Sequence, residues 1–253
     1  MAIQNEDKIN IKFLYTGNSF RSPLKEAGIE SSAQTDVCIK AAGDENPAEI
    51  FTPCEIENTH IMIVNADEND EKAIRNLLKF AQHFKSLNKD GLMLGVTSGT
   101  LSNNTFIRTL GQNLDHFILI DNESIYSPLK MLNAIFQEGF MPVEFCDVCL
   151  VFKGHKASIF SSFDFESGEN IAERLDSYIS ETKSYCNVGR CIDGLIVNLS
   201  IDGCKTNLEF AEDVFSKFKN ALCSKDSELA FFGQFASNKS FLKGAVLAMM
   251  KNA

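Results

Sequence analysis

Glu144 and Asp147 sit three residues apart in Pro142-Val-Glu-Phe-Cys-Asp-Val148, and Cys146-Asp-Val-Cys149 in the same stretch has the spacing of a metal or redox pair. Two acids in a loop are common on any surface, so residue type alone assigns them no chemistry. Val143 to Phe152 reads as a β-branched and aromatic strand. Positions i and i+3 of a strand point to opposite faces, so the two thiols should not converge on a metal. They are expected to be small core hydrophobes, like Cys38, Cys191 and Cys223. No metal site is expected. A second constellation, Asn65-Ala-Asp-Glu-Asn-Asp-Glu71, carries four carboxylates just ahead of a helical pattern. Acids favour the first turn of a helix, and they repel phosphate at short range. There is no G-x-S-x-G nucleophile motif, and His60, His83, His116 and His155 are scattered. Each histidine is expected to be a satisfied structural group.

The elements that must position these residues alternate. Apolar runs at Ile9–Thr16, Thr35–Ala41, His60–Asn65, Leu92–Thr97 and His116–Ile120 predict strands. Helical patterns between them fall at 22–28, at Lys72–Phe84 and at Asn103–Leu110. That order predicts a mostly parallel sheet covered by helices on both faces. Ligands bind at the carboxyl ends of such strands. Here those ends are Thr16–Ser19, Ala42–Asn46, Asn65–Asp70 and Thr97–Thr100. A short helix at Ser127–Gln137 leads to a second half. Further strands are predicted at Ala157–Phe165, Cys191–Ile201, Leu229–Ala236 and Gly244–Met250, with a helix at Asn207–Leu222. This is a mixed α+β sheet.

A formal charge of −10 leaves no basic stripe to displace phosphate counterions, which excludes a general nucleic-acid grip. No apolar run approaches the ~18 residues of a membrane span. The start, MAIQNEDKINIKF, lacks a basic-then-apolar leader pattern, so a cytoplasmic protein is expected.

Gly139, Phe145, Asp147 and Val148, followed by Ser167-Gly168-Glu169-Asn170 and Ala172, carry a family likeness. The stretch resembles the start of the second domain of FtsZ, the bacterial relative of tubulin. There a loop GLxNxDFADV leads into a strand, a second strand follows, and SGENRA opens a helix. Gly194-Leu-Ile-Val-Asn-Leu-Ser-Ile-Asp-Gly203 and Phe231-Phe-Gly233 are similar to later strands of that family. In the first half, Ala42-Gly43-Asp-Glu-Asn46-Pro47 resembles its phosphate-facing loop GAGxNP. The resemblance implies an FtsZ/tubulin-like α/β fold. Its parts are a tail at 1–8, a nucleotide-binding-like domain at 9–125, a connection at 126–142 and a C-terminal domain at 143–253. It also implies nucleotide- or anion-binding positions at Thr16, Gly17, Asn18, Ser19, Gly43 and Asn46. A loop at Pro142, Glu144 and Asp147 would touch a neighbouring subunit, and its two acids would orient water if GTPase activity were retained.

The departures from that pattern decide the functional expectation. The glycine-rich first loop is replaced by Tyr15-Thr-Gly-Asn-Ser-Phe20, and GGGTGTG by Asn65–Glu71. Glycines there would let backbone N–H groups form an anion nest. Pro142 replaces the loop asparagine and removes a donor. The connecting helix would span only ~16 Å at ~1.5 Å per residue. Tyr15 to Pro23 also resembles the phosphate loop of low-molecular-weight tyrosine phosphatases, yet Tyr15 stands at the nucleophile position and Phe20 at the second cysteine position. What remains of that likeness is an anion site including Arg21. The expected function is therefore an assembly or protein-interaction factor, linked to cell division or a cytoskeletal filament, with no cofactor. Its partner would be itself or an FtsZ/tubulin-like protein. The alternatives are a GTPase using GTP and Mg²⁺ in an unorthodox site, and, more remotely, a phosphatase-like anion-binding protein.

Overall fold

The computed structural model describes residues 8–17, 29, 31–42, 49–98, 104–121, 123–137, 143–166, 170–186, 192–202, 208–223, 228–236 and 240–250. The chain divides into two compact units, Met1–Asp115 and His116–Ala253.

In the first unit, β1 (Ile9–Thr16), β2 (Thr35–Ala41), β3 (Ile61–Ala66) and β4 (Leu92–Ser98) stand in the order β2-β1-β3-β4. All three pairings are parallel, with Ile11 opposite Ile61 and Ile61 opposite Leu92. Every residue of β3 is buried, which is why its sequence is a continuous apolar run. Because the strands are parallel, their carboxyl ends at Thr16, Ala66 and Ser98 emerge at one edge. Helix α1 (Pro53–Glu57) opens with a capping box. The Glu55 amide donates to Thr52 Oγ1 at 3.2 Å, and the Thr52 amide donates to Glu55 Oε2 at 2.7 Å. That backbone bond, with Lys40 beside it, pulls the Glu55 carboxyl down to about 2. Helix α2 (Glu71–Leu87) buries Ala73, Ile74, Leu77, Phe80, Ala81 and Phe84 on one face, the 3.6-residue spacing read from sequence. Helix α3 (Thr105–Leu110) is short and buries Phe106 and Leu110.

The second unit comprises β5 (His116–Ile120), α4 (Ser127–Ile135), α5 (Phe145–Gly154), β6 (Ala157–Glu166), α6 (Ile171–Cys186), β7 (Ile192–Asp202), α7 (Leu208–Leu222), β8 (Glu228–Ala236) and β9 (Ser240–Met250). Its strands run in the order β5-β6-β9-β7-β8. β5 and β6 are parallel, β7 and β8 are parallel, and β9 is antiparallel to both β6 and β7. The mixed sheet expected from sequence is present. Leu175 and Ile179 of α6, with Ala211, Val214 and Phe218 of α7, cover Phe163, Leu195, Val197 and Val246 of the sheet. Gly244 makes that packing close, because a Cβ there would meet Phe163 Cζ at 2.5 Å and Asn198 O at 2.9 Å. Among the described residues no helix is long and apolar enough to cross a membrane.

One expected element is overturned. Val143–Phe152 is not a strand; Phe145–Gly154 is helix α5, and the unit's first strand after it is β6. The residues buried are Val148, Cys149, Val151 and Phe152, a helical stripe. Burial of that stripe outweighs the modest helix penalty of valine and phenylalanine.

Candidate functional site

The first unit's strand ends gather the acidic segment, and the structure shows what its carboxylates do. Asp70, in extended conformation before α2, caps that helix by accepting from the Lys72 and Ala73 amides, both at 3.0 Å. Asp67 Oδ1 accepts from the Asn69 amide at 3.1 Å, while the Asp67 amide donates to Thr16 O at 3.0 Å. Glu71 pairs with Arg75 one turn along the exposed face of α2 at 3.2 Å. Glu68 reaches across to the end of β4. Its Oε1 accepts from Thr97 Oγ1, from the Ser98 amide at 3.1 Å, from Ser98 Oγ at 3.3 Å and from Asn104 Nδ2 at 3.2 Å. Asn104 also donates to Thr97 Oγ1 at 2.8 Å and caps α3 by accepting from the Ile107 amide at 3.2 Å.

Of the residues expected to face an anion at this edge, Thr16 and Gly17 are described. Thr16 is buried and donates its hydroxyl to Ala73 O at 3.3 Å, joining β1 to the first turn of α2. Gly17 has φ +131°, and a Cβ there would meet Asp67 Cβ at 2.9 Å. Glycine is required at that turn because the acidic loop passes directly over it. Asn18, Ser19, Arg21, Gly43, Asn46 and Pro142 lie outside the described residues, as do the helix expected at 22–28 and Gly139 and Ser167–Glu169 of the family likeness. Thr97, Ser98 and Asn104 were not singled out by sequence as side chains acting together. The available signal was Asn104 itself, an N-cap residue type in the first positions of the helical pattern expected at Asn103–Leu110.

Glu144 and Asp147 lie in the second unit, at the start of α5. Glu144 is extended and occupies the N-cap position, and its amide donates to Asp147 Oδ2 at 3.3 Å. Both side chains are exposed. Since 145–154 is a helix, Cys146 and Cys149 are not on opposite faces of a strand, and only Cys149 is buried. Cys146 is an exposed thiol, not a core residue. It donates to Glu144 Oε2 at 3.3 Å, and that bond raises its pKa, with Asp147 adding to the effect. This is the reverse of what a reactive thiolate needs. Among the described residues no group of His, Cys, Asp and Glu is arranged to hold a metal.

His116 is satisfied, as expected. Its Nδ1 faces His155 O at 2.8 Å, and its Nε2 lies 2.8 Å from Ser158 Oγ. A carbonyl can only accept, so Nδ1 carries the proton and Nε2 accepts from the serine. His155 in turn sets Nδ1 against Val151 O at 2.8 Å, in the last turn of α5.

Comparison with solved structures settles the fold. A point mutant of FtsZ from M. jannaschii superposes with a TM-score of 0.69 at 14% identity, covering 96% of this chain and 91% of that one. An empty dimer of the same FtsZ gives 0.70 at 14% identity, covering 97% and 89%. The chain has the FtsZ/tubulin-like fold. CetZ2 from Haloferax volcanii, a GTPγS-bound protofilament, is also similar, with a TM-score of 0.53 at 13% identity over 77% of this chain and 66% of that one. No sequence-family model matches the chain, and no curated protein sequence matches it. The likeness is one of backbone course, carried by few shared residues. The segment expected from the sequence resemblance to stand in the place of GGGTGTG is Asn65–Glu71. The amide of Asn69 within it, those of Lys72 and Ala73 just after it, and that of Ser98 at the end of β4 each donate to a carboxylate of the chain itself.

Proposed function

We propose that this protein is a divergent FtsZ/tubulin-like assembly or interaction factor that works in the cytoplasm without conventional GTP binding. The observation that carries the reading is the occupancy of backbone donors at the strand ends. Asp70 takes the amides at the start of α2, Asp67 takes that of Asn69, and Glu68 takes that of Ser98. An incoming triphosphate would have to displace these acceptors and then lie among the same carboxylates. Each like-charge pair at ~4 Å costs about 1 kcal/mol in water and about 4 kcal/mol near a protein surface. A few such pairs offset most of a micromolar affinity, about 8 kcal/mol. The residues present therefore do not suit a triphosphate.

A second copy of the chain or another FtsZ/tubulin-like protein is the proposed partner. Support comes from relatives of the same fold, one a dimer and one a protofilament. Pro142, Glu144 and Asp147 are the proposed contact loop, and cell division or a cytoskeletal filament is the proposed setting.

Titration calorimetry with GTP and Mg²⁺ tests the nucleotide claim, together with anion-exchange analysis of the supernatant from heat-denatured protein. The expected result is no binding in the low-micromolar range and no co-purified GDP or GTP. A low-micromolar dissociation constant, or bound nucleotide, would replace this reading with that of a GTPase using an unorthodox site.

A further inference from the structure

Three donors converge on one oxygen, Glu68 Oε1, namely the Thr97 hydroxyl, the Ser98 amide and the Ser98 hydroxyl, and the Asn104 side-chain amide adds a shared contact at 3.2 Å. All four are neutral. A carboxylate held by neutral, preorganised donors is bound as an oxyanion hole binds its ligand. The donors are themselves fixed. Asn104 Nδ2 donates to Thr97 Oγ1 at 2.8 Å and to Ser98 O at 2.9 Å, while its Oδ1 caps α3. Thr97 is fully buried at the end of β4, and Asn104 is 9% exposed. Glu68 arrives on a loop tied by the Asp67 amide to Thr16 O and by the Asp70 amide to Asp67 O, both at 3.0 Å. The acceptor comes from the β3–α2 loop, and the donors come from β4 and the residue capping α3.

We infer that Thr97, Ser98 and Asn104 form an oxyanion site whose resident ligand is the chain's own Glu68. Occupied in this way, the cluster joins the β3–α2 loop to β4 and α3 with no external anion. This rests on the reading above, and it names the group that does the work a bound phosphate would otherwise do. With the Glu68 side chain cut back, the same donors should take a small carboxylate or a phosphate oxygen.

Chemical rescue tests this. Glu68→Ala removes the ligand and leaves space, whereas Glu68→Gln removes the charge and keeps the space filled. Melting temperatures are compared in formate, acetate or phosphate against chloride at equal ionic strength. Loss of charged hydrogen bonds should lower the Glu68→Ala midpoint on the order of 5 °C in chloride. Formate or acetate at about 0.1 M should recover half or more of that shift, since anion binding to the folded state stabilises it by mass action. The parent and Glu68→Gln should not respond. An equal response of all three proteins, or none in Glu68→Ala, would overturn the inference. Should Glu68→Ala fail to fold in chloride, refolding is followed by circular dichroism in formate; folding there supports the site, and failure in both salts counts against it. A separate arm adds GTP and Mg²⁺ to the parent. Stabilisation by GTP would remove the nucleotide-independent reading and leave the formate result standing on its own.

Discussion

His116 shows how a single residue ties local chemistry to the stability of a unit. It is fully buried, edge-on to the Phe152 ring at 4.9 Å, and hydrogen-bonded at both nitrogens. Burial lowers its pKa to about 4 from an ordinary 6.5, with Lys156 and His155 opposing the charged form and hydrogen bonding to His155 favouring it. The folded state thus binds fewer protons than the unfolded state between these values, and stability falls as pH drops from about 6.5 to about 4. The slope from this one group is about 1.4 kcal/mol per pH unit, with a ceiling near 3 kcal/mol over the window. Urea unfolding of the parent and of His116→Gln should show it. The variant is expected to be less stable at pH 7 but flatter by one proton's worth through the window. Equal slopes in the two proteins would show that His116 is not the group responsible. That His116 would be satisfied was legible from its place at the head of an apolar strand. Its partners were not, because His155 and Ser158 are brought to it by the β5–β6 pairing.

At the scale of elements, strands read better than the segment between them. The ranges expected for the first unit's four strands each fall within a residue of those observed, because strands buried on both faces leave long apolar runs. Val143–Phe152 failed for a related reason. Ten residues rich in valine, cysteine and phenylalanine satisfy a buried-strand pattern and a buried-helix pattern alike, and periodicity could not arbitrate. The deciding signal was polar: Glu144 and Asp147, three apart, bracket the first turn of a helix. Their position at the amino end of α5 also sharpens the contact-loop proposal. Glu144→Lys with Asp147→Lys should cost about 0.3–1 kcal/mol per charge through the helix dipole, which is too little to unfold the unit. The same pair should weaken self-association or partner capture at least several-fold, read by sedimentation and pull-down. Leu150, 70% exposed on the same helix, serves as a companion site. Its change to Ser should leave stability within about 0.5 kcal/mol. Association unchanged in the charge-reversed protein would remove this loop from the interface.

For the whole molecule, charge and fold make opposing demands on assembly. Relatives of this fold form a dimer and a protofilament, whereas this chain carries a formal charge of −10. Two copies approaching one another therefore repel, and the repulsion is screened over a Debye length of about 10 Å at 0.1 M salt and about 3 Å at 1 M. In a nucleotide-dependent assembly, added GTP would be required at every salt concentration. In the reading proposed here, Glu68, Asp67 and Asp70 already fill the donors at the strand ends, so the state of those loops does not depend on GTP. Sedimentation velocity should then show self-association that is the same with and without GTP and Mg²⁺ at each salt concentration from about 0.05 M to about 0.5 M NaCl. Association through exposed ion pairs would weaken along the same series, because salt screens attraction as readily as repulsion. Species that form only with GTP would mean that the acidic loop rearranges to admit it, and the carboxylates now holding the amides of Asn69, Lys72 and Ala73 would then be its gate.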